Sequence, residues 1–171
     1  FGLYRRTTKP VISVVHGITY TIGIEMMLAG DIVIAADTAC FCQLESKRGI
    51  APLGGAHFRY LTRTGWGNAM YHLMLCDEFD AQRALQIGLV QEVTPAGQQV
   101  ARAMEIAHRI ARNAPIGISA MKEAALHYIQ AGEAMAIACI PAIHARVMGT
   151  EDAKEGIRSF VERREARFTG R

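Results

Sequence analysis

Residues 11–15 (VISVV) and 32–36 (IVIAA) are two short runs made almost wholly of β-branched and small apolar residues. Neither alternates apolar with polar side chains, so neither suits a sheet with one wet face. Each reads as a strand buried on both sides. His16-Gly17 closes the first run, residues 19–23 read as a loop, and residues 24–29 read as a short methionine-rich helix. Gly30-Asp31 then returns the chain into the second run. This strand–helix–strand order implies a βαβ-type unit, an α/β fold with a covered sheet.

Two acids stand out against this apolar background. Glu25 falls in the first turn of the short helix, and Glu45 follows a third strand at residues 41–43. Carboxylates so heavily flanked by apolar residues are uncommon unless something pairs or uses them. One helix and one strand separate them, a spacing that can bring both to the same end of a sheet. Around one water, two such groups act as general acid and general base and titrate as a coupled pair. A plainer explanation stands beside this one. Acids are favoured at helix N-termini, and Glu45 has Lys47 and Arg48 as neighbours to pair with. Thr21-Ile22-Gly23 opens the helix and would present N–H donors suited to an oxyanion or enolate; alternatively, Thr21 simply caps an ordinary helix. His16 is the one histidine placed near these residues.

Downstream, residues 44–52 are irregular, and 57–62 and 65–76 read as helices. Asp80 is the expected N-cap of a helix that stops at Gly88. A strand at 90–93 precedes a long helix at 97–112, ended by Asn113 and Pro115. From there the chain is helical: 116–129, 133–148 and 152–164, the last with Thr150 as a simple N-cap. The expected division is an N-terminal part, 1–113, that carries the acids, and a helical region, 114–171.

Half of the 171 residues are hydrophobic and a fifth are charged, which is ordinary for a globular protein. No apolar run reads as a membrane span. No secretory leader is visible, and Phe1 reads as a cut point in a loop. Cys40, Cys42, Cys76 and Cys139 form no metal-binding or disulfide pattern, so they read as free thiols in a reducing, cytoplasmic compartment. Dinucleotide, P-loop, serine-hydrolase and zinc-protease signatures do not occur. The net charge is +3, and residues 158–171 hold five arginines against two glutamates. Such a tail could face an anionic ligand, a nucleic acid or an acidic partner, or be a solvated helix end. Phe160 and Phe168 are its only aromatics, too few to favour nucleic acid.

KPVISVVHG, Gly23-Ile24-Glu25, GDIVIAAD, FCQLE, RGIAPLGGA, RYLTR, FDAQRALQIGLVQEV, APIGISAMKEA and EDAKEGIRSFVERREARF together resemble the crotonase (enoyl-CoA hydratase/isomerase) superfamily in order and spacing. The resemblance implies a ββα spiral core and a C-terminal helical region that packs in a trimer, commonly in a hexamer of two trimers. It implies a lyase that adds water to the double bond of a 2-enoyl-CoA thioester. Coenzyme A is then part of the substrate, with no separate cofactor and no metal. By position, the catalytic acids are Glu25 and Glu45, and an oxyanion donor is the backbone N–H of Ile22 or Gly23. Tyr20, Thr21, Leu44, Pro52 and Leu53 would line the substrate, while Arg163 and, more weakly, Lys122 would meet CoA phosphates.

Some positions depart from the family pattern. Thr21-Ile22-Gly23 replaces a glycine run, Leu44 a proline, Leu53 a glycine, and His16 an asparagine. Ser46-Lys47-Arg48 replaces an apolar run. The family's N-terminal part, which supplies the first oxyanion donor, has no counterpart in these residues. The sequence therefore reads as a truncated chain, expected to be weak or inactive alone. Alternatives are an enoyl-CoA isomerase, another acyl-CoA enzyme of the family, or a non-catalytic acyl-CoA- or RNA-binding homologue.

Overall fold

The structure, a computed structural model, describes residues 2–171. Two β–β–α turns follow one another along the chain. The first is β1 (Ile12–Val15), β2 (Ile18–Tyr20) and α1 (Ile22–Leu28). The second is β3 (Ile32–Ala36), β4 (Cys40–Cys42) and α2 (Ala56–Leu75). Each turn adds one strand to each of two sheets. β1 pairs in parallel with β3, and β2 in parallel with β4. β5 (Phe79–Asp80) then joins β4 antiparallel, and β6 (Glu92–Thr94) joins β3 in parallel, with α3 (Ala81–Gln86) between them. This stepped addition is a crotonase-like α/β spiral.

The register of the first turn is locked by Asp31. Its N–H donates to the Val11 carbonyl at 2.8 Å, and its Oδ2 accepts from the Val11 N–H at 2.8 Å. β3 is central in its sheet and nearly all buried, as its unbroken apolar run requires. β1 is different: it is half-buried along its whole length. The expectation of burial on both faces fails there because, among the described residues, β1 is an edge strand paired on one side only. Residues 19–23 are not a loop either. β2 and the start of α1 occupy them, since pairing with β4 extends residues 18–20 although the stretch is too short to show a period. The core gathers Ile24, Met27, Val33, Phe41, Tyr60 and Leu89; each of these but Tyr60, whose buried hydroxyl has no hydrogen-bond partner, stabilises the fold by about 1.5–3 kcal/mol through burial.

α2 merges the two helices expected at 57–62 and 65–76, and its dihedrals break at Gly65 (φ 75°, ψ 166°). Asp80 caps α3 as expected, its Oδ1 accepting from the Arg83 N–H at 2.8 Å. The chain divides into two units, one comprising Val11–Ile106 with the residues up to Thr7, the other Ala107–Arg171 with Thr8–Pro10. The division falls inside the unbroken α4 (Gln99–Ala111) rather than after residue 113.

In the second unit, α5 (Pro115–Met148) loses helical geometry at Gly132 (φ 78°, ψ −178°), where the sequence reading also breaks it. By length and composition α5 is long and apolar enough to cross a membrane, where the sequence reading finds no run of that length. That reading misses it because Lys122, Glu123 and Glu133 interrupt the run. The break at Gly132 leaves neither half at the ~20 residues a span needs. α5 instead exposes a series of apolar side chains, among them Met121, Tyr128, Ile129, Ile137 and Ile140.

α6 (Glu151–Glu162) is capped by Thr150, whose Oγ1 accepts from the Ala153 N–H at 3.0 Å. The arginine-rich tail folds back along α6. Buried Asp152 accepts from the N–H groups of Thr169 (2.7 Å) and Gly170 (2.8 Å). Glu155 binds Arg164 and accepts from the Arg167 N–H at 3.0 Å. These bonds hold the Glu155 carboxyl well below its ordinary range, at about 2.

Candidate active site

β2 delivers the chain to α1 through Thr21, whose backbone (φ 45°, ψ −109°) lies where β-branched residues rarely go. Two bonds enforce that conformation. The Thr21 N–H donates to the Cys42 carbonyl at 2.9 Å, prolonging the β2–β4 ladder, and its carbonyl accepts from the Glu25 N–H at 3.1 Å. No side chain caps α1, so the reading of Thr21 as an ordinary cap does not hold. The first N–H groups of a helix have no partner within it. Those of Ile22 and Gly23 therefore open at the helix start, and the Ile22 side chain is exposed.

One turn into α1, Glu25 is buried. Its Oε1 accepts from the Gly54 N–H at 2.7 Å and from the Ala56 N–H, at the first residue of α2, at 3.3 Å. The start of one helix thus grips a carboxylate projecting from the start of another, where both dipoles favour negative charge. A Cβ at residue 54 would collide with that carboxylate, so any residue but glycine there must displace the carboxylate or the turn.

Glu45 lies just beyond β4 and is also buried. Its Oε1 accepts from Gln43 Nε2 at 2.8 Å, while buried Oε2 has no hydrogen-bond partner. Burial raises the Glu45 carboxyl above its ordinary range. The Glu25 charge pushes the same way, against the backbone N–H and Gln43 bonds that favour ionisation. The structure therefore brings the two acids within range of each other's charge. Neither Lys47 nor Arg48 pairs with Glu45: Lys47 is bound to Asp77 at 3.0 Å, because the 3-10 turn at Ser46–Arg48 carries these side chains out to solvent. The ion-pair explanation of Glu45 is overturned.

Around the acids, Leu44 and Pro52 are half-buried and Leu53 is exposed. The Tyr20 hydroxyl donates to Glu78, which pushes the phenol's pKa up. A groove of about 400 Å³ runs past Val15, His16, Ile18, Thr19, Gly23 and Met26. Lys122 and Arg163 belong to the second unit. Lys122 Nζ donates to the Lys9 carbonyl at 2.9 Å, and Arg163 caps α6 with left-handed geometry. Sequence reasoning missed Gln43, the Gly54 and Ala56 amides, and Arg59. The available signal was a polar residue beside an apolar strand end, and a glycine pair opening a helix.

Comparison with known proteins bears on what this arrangement is for. Residues 3–171 match the family model described as enoyl-CoA hydratase/isomerase. The enoyl-CoA hydratase EchA19 of Mycobacterium tuberculosis is 33% identical over 98% of this chain and 63% of its own length. The carnitinyl-CoA dehydratase of Proteus mirabilis is 32% identical over 95% and 64%. A crystal structure of a probable enoyl-CoA hydratase/isomerase from Mycobacterium abscessus superposes with a TM-score of 0.94 at 44% identity, over 99% of this chain and 66% of that one. The chain thus spans slightly under two thirds of the length of these relatives. On the family match and this near-complete coverage of its own residues, the chain belongs to the enoyl-CoA hydratase/isomerase family.

Proposed function

We propose that the complete gene product adds water across the double bond of a 2-enoyl-CoA thioester. The observation that carries this reading is a pair of buried carboxyls, within range of each other's charge, in unlike environments. Glu25 is oriented by two backbone amides, and Glu45 has one oxygen bonded to Gln43 and the other buried without a hydrogen-bond partner. Glu25 takes a proton from water as its oxygen bonds to the β-carbon. Charge then builds on the thioester oxygen, facing the N–H groups of Ile22 and Gly23. Glu45, which burial biases toward its protonated form, delivers a proton to the α-carbon. Water is consumed, and the glutamates return to their starting states by exchanging one proton.

Thr21, Ile22, Leu44, Pro52 and Leu53 would border the acyl group, and exposed Ile22 would limit its bulk. Lys122 and Arg163 are the candidates to meet CoA phosphates. The apolar surface of α5 supports self-association as a trimer or hexamer, since contiguous exposed apolar surface marks interaction sites.

Crotonyl-CoA supplied to the complete gene product tests the reading. Loss of the enoyl absorbance with formation of the 3-hydroxyacyl product is expected. Glu25→Gln and Glu45→Gln should each lower kcat by about 10²–10⁴-fold. Migration of the double bond without water uptake would replace hydration with isomerisation, and binding without conversion would leave a binder.

A further inference from the structure

Arg59, in the first turn of α2, is a cation in an electrostatically poor position. It is only 4% exposed, and the N-terminal end of a helix disfavours positive charge. Burial and nearby Arg6 pull its pKa down, with the Glu25 charge opposing them. Something else must keep it there. Its Nη1 lies 3.4 Å from both the Glu25 carbonyl and the Gly54 carbonyl, and its Nη2 donates to the Gly2 carbonyl at 3.1 Å. The guanidinium thus holds the main chain of Glu25 and also that of the residue whose N–H grips the Glu25 carboxylate.

Two consecutive glycines make this possible. A Cβ at residue 54 would strike the Glu25 carboxylate, and a Cβ at residue 55 (φ 113°) would lie 3.0–3.3 Å from the Arg59 guanidinium. Gly54-Gly55 is therefore a double cradle, one residue for an anion and the next for a cation. The Phe58 ring adds a face 5.4 Å from Arg59 Cζ.

We propose that Arg59 is a positioning residue for Glu25: it fixes the Glu25 backbone and the 54–55 turn together, so that the Gly54 and Ala56 amides meet Oε1 in one orientation. This rests on the hydratase reading of Glu25 given above. A planar fork is needed to reach several carbonyls at once, and a lysine ammonium on its flexible stem does not reproduce it.

The test uses the complete gene product, its Arg59→Lys and Arg59→Gln variants, and Arg63→Lys as a control. Arg63 lies on the same helix but donates to the Gly30 carbonyl. Amide hydrogen exchange, which needs no activity, should quicken about tenfold or more at Gly54 and Ala56 in both Arg59 variants, and not in the control. With crotonyl-CoA, kcat should fall about 100-fold while KM stays within about twofold. Unchanged exchange at Gly54 and Ala56 overturns the proposal, as does a loss confined to KM. Should Arg59→Gln fail to fold, Arg59→Lys decides. A wild type that hydrates no enoyl-CoA refutes the proposed function instead, and the exchange measurement still decides the role of Arg59.

Discussion

The Gly54 N–H donates to Glu25 Oε1 at 2.7 Å, and the carboxylate packs so closely that residue 54 has no room for a Cβ. A residue invisible to chemical motif searches therefore sets where the acid sits. Gly54→Ala must move either the carboxylate or the turn. The expected cost is about 1–3 kcal/mol of stability, typical of overpacking, with a fall in kcat of about 100-fold from misplacement of Glu25. Thermal unfolding and steady-state kinetics on the same preparation check both. An alanine variant with full turnover would show that Glu25 tolerates displacement.

Glu45 gives a prediction with a sign. Burial raises its folded-state pKa above the ordinary value of 4.5, so the folded protein holds the proton more tightly than the unfolded chain does. Stability from this group is full below 4.5 and declines as pH rises through the folded value. Glu45→Gln removes that decline. The variant should be more stable than wild type at pH 7, and the gain should vanish toward pH 4. Urea unfolding at the two pH values measures it; a variant less stable at pH 7 than at pH 4, relative to wild type, would contradict the raised carboxyl.

Much of this site was readable from the residues, for identifiable reasons. IVIAA is buried on both faces and becomes the central strand β3, because continuous apolar residues admit little else. VISVV is apolar but for Ser13 yet lies at an edge, and composition does not encode a strand's neighbours. β2 escaped notice because pairing across twenty-two residues, Ile18 with Cys40, makes it a strand. The acids were conspicuous by their apolar surroundings. Their partners were not, since Gly54 and Ala56 contribute only backbone N–H groups, which every residue but proline carries.

Thr21 carries strain that its replacement should release. Its φ of 45° with ψ −109° is costly for a β-branched residue, of order 1–3 kcal/mol. Glycine adopts it freely but loses about 0.5–1 kcal/mol of folding free energy through its freer unfolded chain. Thr21→Gly is expected to gain about 1 kcal/mol net, read as a higher urea midpoint at unchanged m-value. A lower midpoint would mean that the threonine side chain holds the turn through contacts worth more than the strain.

Asp152 anchors the tail, and its removal should free the tail without melting α6. Its buried carboxylate accepts from the N–H groups of Thr169 and Gly170, and its own N–H donates to the Arg171 carbonyl at 2.9 Å. Asp152→Ala leaves the two N–H donors without their acceptor, a loss of about 3 kcal/mol for bonds to a charged group. The cap of α6 survives, since it is made by Thr150 to Ala153. The variant should therefore be cleaved by trypsin after Arg164 and Arg167 far faster than wild type, with helix content by circular dichroism nearly unchanged. Equal cleavage rates would mean that the Glu155 bonds to Arg164 and to the Arg167 N–H suffice to hold the tail.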